Sequence, residues 1–334
     1  MEESKILLKD TFGRVVNNLR ISVTDRCNFR CKYCMPARGM VWLEKDKILS
    51  FEEIARLAEI FSGLGVDKIR LTGGEPLLRK ELHVLVAMLA GVGNVRDISL
   101  TTNGYFLEEQ ARALSDAGLK RINVSLDSLR SDSFAEITRR SYYDKVLRGV
   151  AEAARIGLSP IKINVVLIRG FNDGEILDFA ELARKSNYII RFIEYMPIGG
   201  GDDWNIEQVI TQDEIIKTIE HGLRLSLIPK RLGGSEPADG YLFEDGSGEI
   251  GFISSVSNPF CGHCNRVRIT SDGKLRTCLF SLGETDLRNL LREGASDLEI
   301  RDVIVDAVSK KERGHLINKP GFVKPARTMS QIGG

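Results

Sequence analysis

The sequence predicts an α/β fold: a partial (β/α)6 barrel of the TIM type, with a C-terminal α+β extension covering its open side. Three observations predict it. Apolar, β-branched runs alternate with amphipathic helical stretches as far as Met196. Only six such runs occur, fewer than the eight of a closed barrel. Beyond Met196 the alternation gives way to hairpin signals.

The six runs are LRISVTD (19–25), KIRLTGG (68–74), DISLTTNG (97–104), RINVSLDS (121–128), IKINVVLI (161–168) and IIRFIEYM (189–196). Between them SFEEIARLAEIFSGLG (50–65) reads as a helix, with Ser50 as N-cap and Glu53 completing a capping box. LEEQARALSDAGL (107–119), DKVLRGVAEAARIGL and DGEILDFAELARKS read likewise, and Gly65, Gly118 and Gly157 stand where helices end. Each strand run closes on polar or small residues: Asp25, Gly73 and Gly74, Thr101 to Asn103, Ser125 and Asp127, Arg169, Glu194 to Met196. In barrels of this class that end of the strands carries the site. Further on, 199–205 reads as a loop, 211–222 as a helix and 232–240 as irregular. Hairpins are expected at 243–256 and 267–280, the second turning at Ser271–Gly273, and helices within 285–312. The chain divides on this reading into 1–240 and 241–334.

With 334 residues and 43% hydrophobic content the chain can bury a large core. Its 47 basic and 46 acidic residues leave a net charge of +1, so no global field draws it to nucleic acid or a membrane. The opening MEESKILLKD lacks the apolar core of a signal peptide, and no apolar run approaches the roughly 18 residues of a spanning helix. A cytoplasmic location is expected.

The six cysteines fall into two trios: Cys27, Cys31 and Cys34 as C-x3-C-x2-C, and Cys261, Cys264 and Cys278 as C-x2-C-x13-C. Disulfides belong to oxidising compartments. Thiolates otherwise bind zinc, iron–sulfur clusters or copper(I). Structural zinc takes four ligands, and none of His83, His221, His263 and His315 is local to the first trio. Three cysteines suit a [4Fe–4S] cluster with one iron left open. At the second trio His263 leaves a closed zinc site as an alternative.

CNFRCKYC after the first strand, with TGGEP (72–76) at the end of the second, resembles the signature of the radical S-adenosylmethionine (SAM) superfamily. The resemblance implies that SAM completes the open iron of the first cluster. It also implies contacts to SAM from Tyr33, Gly73, Gly74, Ser125 and Met196. The C-terminal SVSNPFCGHCNRVRITSDGKLRTCLF, together with GRVVNNLRISVTDRCNFRCKYCMP, LTTNG, INVSLDS, FIEYMPIG and the final double glycine, is similar to the GTP 3′,8-cyclase family, which opens molybdenum cofactor biosynthesis.

That similarity implies a second [4Fe–4S] cluster on Cys261, Cys264 and Cys278 that binds guanine. It implies contacts to GTP from Arg70, Thr101, Lys162, Arg266, Val267 and Arg268, an Arg20 beside the reacting centre, and a catalytic insertion of Gly333 and Gly334. Arg191, a basic residue within an apolar strand, is added on the cost of burying an unpaired charge. The implied reaction uses a 5′-deoxyadenosyl radical to take hydrogen from ribose C3′ and closes that carbon onto guanine C8. Implied partners are an electron donor, a downstream cyclic pyranopterin monophosphate synthase and a second copy in a homodimer, with neither nucleic acid nor membrane. The rival readings are a twin-cluster radical SAM enzyme acting on peptides and a zinc-stabilised binding module without catalysis.

Overall fold

The computed structural model describes residues 7–199, 204–230, 237–317 and 319–333. Among them a single twelve-stranded sheet carries the fold. Its six expected parallel strands are β1 (Asn18–Ser22), β2 (Lys68–Thr72), β3 (Asp97–Thr102), β4 (Arg121–Ser125), β5 (Ile161–Leu167) and β6 (Tyr188–Glu194). They pair in sequence order. The later strands are β7 (Leu227–Pro229), β8 (Asp239–Phe243), β9 (Glu249–Ile253), β10 (Arg266–Ile269), β11 (Lys274–Arg276) and β12 (Thr285–Asp286).

Both expected hairpins form, β8 with β9 and β10 with β11. Each then does more than the sequence reading assigned to it. One strand of each hairpin has a second edge, and that edge joins the parallel sheet: β10 alongside β1 and β9 alongside β6. The parallel run therefore has eight strands, and the sheet stays open, ending on β12 at one side and β7 at the other. Position 240, where the sequence reading divides the chain, lies within β8.

The strands alternate strictly. In β1, β2 and β10 the residues Leu19, Ile21, Ile69, Leu71, Val267 and Ile269 point into the apolar core, and Arg20, Arg70, Arg266 and Arg268 face the other way. Over the apolar face lie α1 (Phe51–Gly63), α2 (Leu82–Ala90), α3 (Leu107–Asp116), α4 (Ser131–Thr138), α5 (Tyr143–Arg155) and α6 (Ile176–Lys185). The Ser50 capping box is present: the Ser50 N–H donates to Glu53 at 2.7 Å and the Glu53 N–H to the Ser50 hydroxyl at 3.1 Å. α2 and α4 are helices the sequence reading did not single out. α7 (Gln212–Leu223), α8 (Leu287–Arg292) and α9 (Asp297–Ser309) lie where helices were expected. Most of 232–240 lies outside the described residues. A short α10 (Met329–Ile332) ends the described chain.

The seam that attaches β9 to β6 is aromatic. Phe192 of β6 packs against Phe179 at 6.2 Å and Phe252 of β9 at 6.1 Å, and Tyr241 of β8 meets Phe252 at 5.3 Å. Phe252 is fully buried. Phe252→Ala is expected to cost about 3–5 kcal/mol, measured as a fall in the denaturant midpoint of unfolding.

Candidate active site

A cavity of about 280 Å³ lies along the face of the parallel strands that carries the arginines, with the first trio after the C-terminal end of β1 and the second at the opposite end, before β10 and after β11. Both cysteine trios line it. So do Arg20, Tyr33, Arg70, Gly73, Gly74, Thr101, Ser125, Arg191, Met196, Arg266 and Arg268. Lys162 is buried on β5, beside Asn123 of β4, outside the lining. Val267 sends its side chain into the core because it alternates with Arg266 and Arg268, so only its backbone is left for the cavity side. Gly334 lies outside the described residues.

The first trio sits on the loop after β1. Phe29, between Cys27 and Cys31, plugs an aromatic pocket made by Phe134, Tyr105 and Tyr142 at 5.9–6.5 Å. Main-chain carbonyls of the loop are then held by arginines at the end of α4. Arg139 donates to the Arg30 and Met35 carbonyls at 2.7 and 3.2 Å, and Arg140 to the Asn28 carbonyl at 2.8 Å. Asn103 donates to Asn28 at 2.8 Å and to the Cys27 sulfur at 3.9 Å. Sequence reasoning missed these supports, because nothing in the sequence says that α4 ends under this loop.

Gly73 and Gly74 have a reason that the sequence reading did not give. A Cβ at Gly73 would stand 2.6 Å from the Thr24 carbonyl, and one at Gly74 would meet the Asp25 carbonyl at 2.5 Å. The Gly74 and Glu75 N–H groups donate to the Thr24 and Arg26 carbonyls at 2.7 and 2.8 Å. The glycines thus clear room for the chain that leads into Cys27, in addition to lining the cavity. Glu75 is buried and accepts from Thr102 at 2.6 Å and the Asn103 N–H at 2.7 Å. Burial pushes its carboxyl up to about 7. Tyr33 donates its hydroxyl to the buried Asp127 at 2.7 Å, and burial raises that carboxyl to about 6.

The second trio is fixed from both ends of the chain. Arg14, itself paired with Asp10 at 2.5 Å, donates to the Cys261 carbonyl at 2.7 Å, the Glu312 carbonyl at 2.6 Å and the Arg313 carbonyl at 3.0 Å. Lys311 donates to the Arg266 carbonyl at 3.0 Å and to the Thr277 carbonyl. Gly314 packs so closely that a Cβ there would lie 2.9 Å from the Cys261 Cβ. His263 lines a separate surface cavity with Phe12 and Arg14 and is absent from the lining of the main one. Among the described residues no three His, Cys, Asp or Glu side chains converge on one metal ion. A trio that ligates a cuboidal cluster splays, since each thiolate takes a different iron. A closed zinc site with His263 does not fit this arrangement.

The most demanding feature is a row of arginines. Arg276 of β11 stands in register with Arg268 of β10, Arg268 with Arg20 of β1, and Arg20 with Arg70 of β2. Arg276 is neutralised by Glu284. Arg20, Arg70 and Arg268 have no ion pair among the described residues. Burial and then Arg268, Arg266 and Arg70 hold the Arg20 guanidinium well below its usual range. Burial and then Arg191 bring Arg70 to about 9, and burial and Arg266 bring Arg268 to about 9. Arg20 Nε and Asn164 Oδ1, both on cavity-lining residues, are buried without a hydrogen-bond partner among the described residues. Such a row suits a polyanion with oxygens for each fork.

The described end of the chain enters this site. Gly333 is left-handed at φ 81°, and a Cβ there would meet Ser22 and Thr72 at 2.8 Å. Its carbonyl accepts from Arg268 at 3.3 Å. The Ser330 N–H reaches the Cys34 thiol. The tail therefore touches both halves of the site.

The thiols differ in a measurable way. Burial pushes Cys27 and Cys34 up to about 12. At Cys264 burial is overcome by the cations of Arg266 and Lys311, which bring it down to about 6. In iron-free protein at neutral pH, Cys264 is expected to alkylate well ahead of Cys27 and Cys34. Its rate should fall as pH drops through 6 and in Lys311→Met, read by peptide mass spectrometry.

Residues 21–183 match the Radical SAM superfamily, and residues 188–317 match Molybdenum Cofactor Synthesis C. The chain is 47% identical over 328 residues to a GTP 3′,8-cyclase of Thermodesulfovibrio yellowstonii, covering 98% of this chain and 100% of the relative. It is 48% identical over 327 residues to one from Moorella thermoacetica, with the same coverage. Against that of Streptomyces coelicolor it is 45% identical over 333 residues, covering 99% of this chain and 98% of the relative. Among solved structures, Streptococcus suis SuiB bound to S-adenosylmethionine aligns with a TM-score of 0.61 at 12% identity, over 96% of this chain and 77% of that one. That likeness is one of fold. Two cysteine trios on one cavity, and full-length identity near one half to these relatives, place the chain in the GTP 3′,8-cyclase family of the radical SAM superfamily.

Proposed function

We propose that this protein converts GTP to (8S)-3′,8-cyclo-7,8-dihydroguanosine 5′-triphosphate, the opening reaction of molybdenum cofactor biosynthesis. The observation that carries the reading is the arginine row between two cysteine trios on one cavity. The cofactors are two [4Fe–4S] clusters and SAM. Cys27, Cys31 and Cys34 would hold the first cluster, and Cys261, Cys264 and Cys278 the second. With SAM bound, the first cluster supplies a primary carbon radical able to take hydrogen from ribose C3′.

The chain's own residues then solve a problem of position. Tyr33, Gly73, Gly74, Ser125 and Met196 would hold SAM from the first-trio side, with Tyr33 fixed by Asp127. The forks of Arg20, Arg70 and Arg268, with Arg191, Arg266 and Thr101, would receive the triphosphate and place the ribose between the trios. Lys162 and the Val267 backbone would act from just behind this lining. Arg20, centred in the row, would be the proton or charge partner at the reacting centre. The Gly333 and Gly334 tail would close the site against water.

The division into 1–240 and 241–334 is kept as one of labour, the first part serving SAM and the second the guanine-binding cluster. A cytoplasmic enzyme fits a chain in which no described helix is long and apolar enough to cross a membrane. The reaction consumes reducing equivalents, so an electron donor is required. A cyclic pyranopterin monophosphate synthase would take the product, and a homodimer is proposed with it. The peptide-modifying alternative rests on fold likeness at 12% identity and loses to relatives near 47%.

The test is anaerobic: reconstituted protein, dithionite, SAM and GTP, read by mass spectrometry. 5′-Deoxyadenosine and an isomer of GTP should form together. Neither should form in Cys27→Ala, and deletion of Gly333 and Gly334 should stop cyclisation with iron content unchanged. Deoxyadenosine without cyclised GTP from the parent protein would sink the substrate assignment. Arg70→Ala should raise the KM for GTP about 10- to 100-fold, the loss of one charged hydrogen-bonding fork.

A further inference from the structure

We infer that Arg327 is a positioning residue that locks the terminal tail into the active site. The inference rests on the cyclase reading, in which the tail acts during turnover. Arg327 precedes α10, and every nitrogen of its fork is engaged. It donates to Asp272 Oδ1 at 3.1 Å and Oδ2 at 2.8 Å and to Glu284 Oε2 at 2.9 Å, and its Nε lies in ion-pair contact with Glu284 Oε1 at 2.7 Å. A bidentate arginine–carboxylate pair with Asp272, joined by a second carboxylate on the same guanidinium, is a strong charge-assisted arrangement.

Both carboxylates are themselves fixed. Asp272 accepts from Thr270 at 2.6 Å in the turn between β10 and β11. That turn is packed against α8, since a Cβ at Gly273 would lie 2.6 Å from the Arg288 Cβ. Glu284 also pairs with Arg276, the outermost residue of the arginine row. The clamp thus ties the tail to the same hairpin that presents Arg268 to the Gly333 carbonyl. Beyond Arg327 the described tail has light polar tethers, the Ser330 N–H on the Cys34 thiol among them, and one apolar anchor, the buried Ile332. Thr328 and Ser330 touch the Met40 sulfur at 3.3 and 3.6 Å, and Gly333 meets Arg268 at 3.3 Å. Chain ends stay ordered only when tied down, and the knot at Arg327 is the ion-paired tie that fixes where the tail enters, ahead of the buried Ile332. Its charges balance, two carboxylates against Arg327 and Arg276.

The test compares full-length reconstituted parent, Arg327→Ala, Arg327→Lys and Asp272→Asn by hydrogen exchange and by product partition. In Arg327→Ala, amides of 328–333 should exchange about tenfold faster or more, as expected on losing a charge-assisted tie. Segments carrying the two trios should exchange as in the parent. SAM cleavage should continue with cyclised product falling about tenfold, in kcat rather than in KM for GTP. Arg327→Lys should recover part of both effects, since it keeps the charge and loses the fork. Tail exchange and partition equal to the parent would overturn the inference. So would faster exchange spread over the whole chain, which marks a general structural role. Absence of cyclised product from the parent would instead strike the cyclase reading, while tail exchange still decides the clamp.

Discussion

Three guanidiniums with no ion pair among the described residues, side by side on adjacent strands, are the constraint around which this structure is arranged. Like charges directly opposite in a sheet repel, and burial adds to the cost. The rest of the architecture tolerates the row by fastening its strands. β1 is held on both edges, by β2 and by β10. The fourth arginine in register carries its own carboxylate, Glu284. A site that concentrates positive charge in a cavity is prepared for a ligand that brings several negative oxygens at once. The proposed substrate GTP is such a ligand, and its binding would convert the repulsion within the row into affinity.

Much of this was legible in the sequence. The six parallel strands, the capped helix after Ser50, both hairpins and the two cysteine trios all follow from periodicity and spacing. The cost of burying a charge among apolar neighbours pointed to Arg191, and the family resemblance to Arg20, Arg70 and Lys162; the three arginines line the cavity and Lys162 is buried outside its lining. What could not be read was who stands next to whom. Nothing in RVRI says that its outer edge will pair with NLRIS, so the in-register row was invisible. For the same reason the eight-strand parallel run was read as six. Val267 shows the limit from the other side: a position taken from a family resemblance carries no statement of which way the side chain points, and alternation sends this one into the core.

The supports of the site were hidden most completely. Arg14, Arg139, Arg140 and Lys311 act on main-chain carbonyls, which have no sequence identity to match. Each is an arginine or lysine that composition alone would place on a solvated surface. The two glycines of TGGEP were read as space for a ligand. Their Cβ positions are taken first by the backbone of Thr24 and Asp25, so the two signature motifs are also each other's packing partners.

The pairing of β10 with β1 also sets the order of events at birth. The first strand to leave the ribosome must wait for one of the last before its outer edge is covered. At roughly 5–20 residues per second of synthesis, that wait lasts on the order of tens of seconds. Throughout it, β1 offers an open hydrogen-bonding edge beside an uncompensated arginine, with thiols still free of iron. The nascent chain is therefore most exposed to mispairing and oxidation at the place its mature form protects best. Cluster loading of the first trio before release, or a chaperone that covers this edge, would shorten the vulnerable interval.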